Sequence, residues 1–144
     1  TVDAITQTQL QGMDEDNPID GGVALGSDLS MEEQRLIQSC GNQLMLFRLK
    51  GPMSFGAAKG ISSRIGLVSN CRVLILDISD VPRMGVTAAL ALERMVEEAQ
   101  ALGRLTFVAG ANQRLQERLK KFGITALMTT RQEALERSSE YISR

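Results

Sequence analysis

Val73-Leu74-Ile75-Leu76-Asp77-Ile78-Ser79-Asp80-Val81-Pro82-Arg83-Met84-Gly85-Val86-Thr87-Ala88-Ala89-Leu90 is the stretch whose reading decides the fold. Its first part, continuing from Cys71-Arg72, is apolar on both sides of the chain, as a central strand covered by helices on a parallel or mixed sheet requires. The reading ends that strand at Asp77 and places a polar loop after it. At Thr87 the period changes. Ala88, Ala91, Leu92, Met95, Val96, Ala99 and Leu102 recur as a broad helical stripe, with Glu93, Arg94, Glu97 and Glu98 largely off it, and Gly103 is a good stop.

In sheets of this kind the functional crevice lies beyond the carboxyl ends of the strands. Thr87 is expected at a helix N-terminus, where free N–H groups and the helix dipole favour an anion. A phosphate on Thr87 would add about −1.5 to −2 charge to a binding face. The expected loop and helix-start surface is therefore Asp77, Ser79, Asp80, Met84, Gly85, Val86 and Thr87, with Thr87 the candidate phospho-acceptor. Plainer accounts exist for two of these residues. Threonine is a good N-cap without any regulatory role, and Asp77 can simply accept from the loop's own amides.

Outward from this core, strands and helices alternate. Towards the N-terminus, Ser54 caps an expected helix in which Phe55, Ala58, Ile61, Ile65 and Val68 share a face, Gly51-Pro52 ends a strand over 43–51, and Ser30-Met31-Glu32-Glu33 matches a capping box. Towards the C-terminus, Leu105-Thr106-Phe107-Val108-Ala109 reads as a strand. Asn112 caps a helix carrying Leu115, Leu119 and Phe122, 124–127 is strand-like, and Thr130-Arg131-Gln132-Glu133 opens a last helix as a second capping box. This order predicts an α/β fold with a small mixed sheet of 4–5 strands, one of them N-terminal, and helices packed mainly on one face. Residues 1–29, with Asp14-Glu15-Asp16-Asn17-Pro18 and Gly21-Gly22, read as a flexible polar linker, and 30–144 as the domain.

Composition narrows the function. The chain has 144 residues, a hydrophobic fraction of 43%, a charged fraction of 23% and a formal net charge of −1, which fits one globular domain and gives no reason to expect nucleic acid as a partner. The absence of histidine removes Ser–His–Asp and Cys–His triads and every histidine-containing metal site. Cys40 and Cys71 are too few for a four-ligand cluster and fit a reducing compartment better than a disulfide scaffold. No catalytic residue, cofactor or metal is expected. The longest apolar run near the centre, residues 73–76, is far short of the roughly 20 residues that span a bilayer. A chain starting at Thr1 reads as a fragment of a larger parent.

The 73–90 segment resembles the strand–loop–helix pattern of the sulphate-transporter and anti-sigma-factor-antagonist (STAS) family: an apolar strand, Asp, small residues, then Asp-x-Ser/Thr-Gly opening a helix. Thr87 falls on the Ser/Thr that is phosphorylated in anti-sigma-factor antagonists. Gly85 stands where that pattern has Asp, and Ala88 where it has Gly, departures that weaken a kinase-driven switch. Three further pieces are similar to the family in the same order: the Gly-Pro-x-x-Phe turn of its transporter branch in residues 49–58, the strand, loop and helix over 107–124, and the capped helix over 129–135. The resemblance covers residues 43 to 137. It implies a STAS-like fold and a non-catalytic regulatory or dimerisation domain of a SulP-type membrane anion transporter, within the family most like the cyanobacterial bicarbonate transporters. The implied partners are the transmembrane domain of the same transporter, a second copy in a homodimer and a regulatory protein; the implied location is the cytoplasmic face of the inner or plasma membrane.

A stand-alone anti-sigma-factor antagonist switched by phosphorylation is the alternative with the same fold. A receiver-like phospho-acceptor at Asp77 is a third, but a receiver needs an acidic pair after its first strand to hold Mg²⁺; here that strand ends Arg48-Leu49-Lys50-Gly51, and residues 105–110 lack the late-strand lysine. A nucleotide-binding enzyme lacks both the Gly-x-Gly-x-x-Gly and the P-loop signatures.

Overall fold

Six consecutive buried residues, 73–78, fix β3 (Val73–Asp80) as the middle strand of the sheet. A computed structural model of the chain describes residues 2–5, 29–50 and 71–144. The helix expected over 54–68, the Gly51-Pro52 turn and most of the N-terminal linker lie outside them. The described elements run β1 (Val2–Ile5), α1 (Met31–Cys40), a 3-10 turn (Gly41–Gln43), β2 (Leu44–Lys50), β3, α2 (Val86–Ala101), β4 (Leu105–Ala109), α3 (Gln113–Lys121), β5 (Leu127–Met128) and α4 (Arg131–Ser143). The strands lie in the order β1-β2-β3-β4-β5. The last four are parallel and β1 is antiparallel to β2, which makes the expected mixed sheet.

Strand alternation sorts side chains to two faces. Phe47, Leu74, Leu76, Ile78 and Val108 point to a core closed by Ala88, Leu92, Met95 and Val96 of α2 and Leu115 and Leu119 of α3. Leu44, Leu46, Val73, Ile75 and Phe107 point to a second core closed by Ile37 and Cys40 of α1 and Ala134 and Leu135 of α4. Each fully buried leucine or isoleucine contributes about 1.5–3 kcal/mol. Among the described helices, two therefore cover each face, where the sequence reading placed them mainly on one. Parallel strands demand this cover, because a sheet joined by helical crossovers is buried on both sides.

Helix starts follow their caps. The Ser30 hydroxyl accepts from the Glu33 amide and the Glu33 carboxylate accepts from the Ser30 amide, each at 3.0 Å, completing the box. Asn112 accepts from the Leu115 amide at 2.8 Å and Thr130 from the Glu133 amide at 3.1 Å. The structure corrects several boundaries. The strand-like piece expected over 124–127 is a strand only at Leu127–Met128. Val2–Ile5, assigned to the linker, pairs with β2 through Val2↔Leu49 to Ile5↔Leu46. Leu29, also assigned there, is buried in the second core. The central strand continues past Asp77 to Asp80, so Ser79 and Asp80 belong to a strand end instead of a loop.

Candidate functional site

The carboxyl end of β3 bears the residues singled out above, and the structure divides them. Asp77 is 2% exposed and Met84 4%, so neither belongs to the surface on which they were expected. Met84 and Val81 are apolar anchors that sink into the first core and hold the 81–85 loop down. Ser79, Asp80, Gly85, Val86 and Thr87 are exposed. Thr87 is the second residue of α2. The N-cap is Gly85, in extended conformation and with no side-chain capping bond, so the Thr87 hydroxyl does not serve as the cap.

Asp77 instead joins a buried ionic cluster. Its Oδ2 lies 3.0 Å from Nη1 of Arg131 and 3.7 Å from Nε of Arg48. Arg131 also donates to both carboxylate oxygens of Glu33, at 2.7 and 3.2 Å. Asp77 Oδ1 accepts from the Ser79 amide at 3.0 Å and from the Ser79 hydroxyl. The four charges come from β2, β3, α1 and α4, and their removal from water is offset by this mutual pairing and by the hydrogen bonds that Ser79 and Ser30 give the two carboxylates. Burial pushes the Glu33 carboxyl up, but hydrogen bonds from Arg131 and from Ser30 outweigh it and hold the group below its ordinary value. Burial acts to lower Arg131, and Glu33 and Asp77 reverse that and raise it. Burial pushes both thiols, Cys40 and Cys71, up.

The local sequence explains the cluster. Arg48 and Asp77 are register partners on β2 and β3, on the face that α1 and α4 cover. Capping then brings the first turns of both helices to the same place: Glu33 is the third residue of α1, and Arg131 follows the Thr130 cap. The reading by periodicity missed Arg48, Glu33 and Arg131 as a set. The available signal was a charged residue set among the apolar residues of each of two strands, Arg48 between Phe47 and Leu49 and Asp77 between Leu76 and Ile78.

A cleft of about 450 Å³ opens beside the cluster, lined by Glu33, Ser79, Asp80, Gly110 and residues 129–132. Gly110 has φ +82°, and a Cβ there would collide with Ser79 Oγ, so glycine is what lets the end of β4 pass over Ser79. Among the described residues no group of three acidic or thiol ligands could hold a metal, and the Asp77 carboxylate is engaged on both oxygens. The arrangement braces the carboxyl edge of the sheet and leaves the start of α2 facing solvent. No described helix is long and apolar enough to cross a membrane.

A model of the STAS domain family matches residues 31–136. Over 124 residues the chain is 35% identical to the bicarbonate transporter BicA of Synechocystis sp. (strain ATCC 27184 / PCC 6803 / Kazusa), a match covering 86% of this chain and 21% of the transporter. It is 41% identical over 93 residues to BicA of Picosynechococcus sp. (strain ATCC 27264 / PCC 7002 / PR-6), covering 65% of this chain and 16% of that one. The chain thus spans only 21% and 16% of the two curated relatives' own lengths. The solved SulP transporter STAS domain from Vibrio cholerae superposes with a TM-score of 0.69 at 25% identity, covering 79% of this chain and 98% of that one. A solved anti-sigma-factor antagonist shares the fold alone.

Proposed function

Because the chain belongs to the STAS domain family, we propose that it is the non-catalytic regulatory and dimerisation domain of a SulP-type membrane anion transporter, with bicarbonate as the anion. On this reading the domain sits at the cytoplasmic face of the inner or plasma membrane, and its partners are the transmembrane domain, a second copy and a regulatory protein. The relatives of known name supply the transporter context.

The observation that carries the regulatory part is the setting of Thr87. It is exposed on the first turn of a well-packed helix, next to Val86, while the acid behind it, Asp77, is locked in ion pairs. Such a start offers a rigid docking surface whose free amide groups suit an incoming anion. Reconstituting the parent transporter in liposomes, with and without this domain and with Thr87→Glu, tests the reading. Uptake of bicarbonate should fall at least several-fold without the domain and shift with Thr87→Glu. Uptake identical in all three proteins sinks it.

The same exposed hydroxyl favours a second reading, the free-standing phospho-switched antagonist. Gly85 and Ala88 argue against it, since they replace the Asp and Gly of that motif. Stoichiometric phosphate on Thr87 after incubation with a cognate serine kinase, read by mass spectrometry, would promote it over the transporter reading.

A further inference from the structure

Helix α3 carries Arg114, Arg118, Lys120 and Lys121 against a single acid, Glu117, in a chain whose formal net charge is −1. All four cations are exposed, and none forms an ion pair among the described residues. Arg114 and Arg118 stand four residues apart, on one side of the helix. Asn112 at the head of α3 donates from Nδ2 to the Pro82 carbonyl at 3.2 Å, which ties this turn to the loop bearing the exposed Arg83. That loop runs into α2, where Val86 and Leu90, one turn apart, are 54% and 48% exposed.

Position in the fold identifies what such a surface meets. Val2 pairs with Leu49 near the end of β2, so the chain enters the domain at the carboxyl end of the parallel strands. α2 and α3 follow β3 and β4 and therefore begin at that same end. On the reading that this chain follows the membrane part of the transporter, that end is the one turned to the bilayer.

We infer that Arg83, Arg114 and Arg118, with Val86 and Leu90, form a contact surface for anionic phospholipid headgroups. The orientation rests on the transporter reading; the binding itself is measured without it. Guanidinium groups suit phosphate through paired N–H donors. Val86 and Leu90 gain from the headgroup–acyl boundary, whereas an acidic polypeptide would satisfy the arginines and leave the aliphatic pair in water. Each basic residue near an anionic leaflet strengthens partitioning by about five-fold.

Co-sedimentation of the 144-residue chain with phosphatidylglycerol-containing vesicles and with pure phosphatidylcholine vesicles tests the inference. Binding is expected only to the former, weakening as salt is raised. The triple variant Arg83→Gln/Arg114→Gln/Arg118→Gln should bind roughly a hundred-fold less, with an unchanged unfolding transition because all three side chains are exposed. Lys120→Gln/Lys121→Gln, at the far end of α3, should lose much less per charge. Absence of binding to phosphatidylglycerol, equal binding to both vesicles, or equal losses in the two variants overturns the proposal. Capture by poly-glutamate without binding to the vesicles assigns the surface to an acidic protein and overturns it as well. Bicarbonate uptake is not a readout here, so this inference and the transporter reading can fail independently.

Discussion

Arg131 at the start of α4 and Asp77 in β3, 54 positions apart in the chain, meet at 3.0 Å between Nη1 and Oδ2. Through this contact and the paired Glu33, the first turns of the two helices on one face are fastened to the middle strand. Replacing Asp77 by Asn removes one of the two carboxylates that neutralise Arg48 and Arg131. Breaking a buried pair by deleting one partner costs about 3–5 kcal/mol, so Asp77→Asn should lower the unfolding free energy in urea by that order. A loss below about 1 kcal/mol, the typical figure for exposed pairs, would mean that the cluster is hydrated.

Glu33 gives the domain an acid-sensitive component. Its carboxyl is held below the ordinary value of 4.5 in the folded protein, so it contributes stability that is fully present above 4.5 and is lost as pH falls through the lower folded value. The stability gap between the native chain and Glu33→Gln, followed by denaturant unfolding from pH 7 to pH 3, should narrow only on the acid side of 4.5. A gap constant across that range contradicts the assignment.

At Gly110 the backbone and the neighbour both resist a side chain. A left-handed conformation costs a residue other than glycine about 1–2 kcal/mol, and the alanine methyl would also displace Ser79. Gly110→Ala should therefore destabilise by at least that amount and shift the amide resonances of Ser79 and Asp80. Gly103→Ala, with φ +79° and open space around the added carbon, isolates the conformational part of the cost.

Gly85 caps α2 with no side chain, in an extended conformation that any residue adopts, and a Cβ there meets nothing within 4 Å. Gly85→Asp should raise stability by a few tenths of a kcal/mol, the gap between aspartate and glycine at an N-cap, and restore the acid that the family's motif has at this position. Thermal unfolding of the variant checks this; a lower midpoint would mean that the 81–85 loop needs glycine for another reason.

The elements that are legible in the sequence are those whose information is local. The caps at Ser30, Asn112 and Thr130, the stripe from Ala88 to Ala99 and the apolar run of β3 all act within one turn or one strand, and each lies where its pattern puts it; Leu102, read as the last member of that stripe, is instead the C-cap of α2 and 70% exposed. The STAS resemblance, carried by short motifs in order, named the family. What was not legible depends on partners far along the chain. Val2–Ile5 looks like part of a polar leader until β2 supplies its pairing. Asp77 looks like a loop acid until Arg48, Arg131 and Glu33 close around it. Met84 sits between exposed neighbours, yet with Val81 it pins its loop to the core.

The cluster of Arg48, Asp77, Arg131 and Glu33 holds two positive and two negative charges in close alternation. Such a quadrupole cancels within a few ångströms of itself and sends almost no field beyond the protein's boundary. A charged visitor approaching the domain therefore meets the field of its exposed acids and bases and of its helix ends, while the four charges of the cluster go largely unfelt until the fold opens.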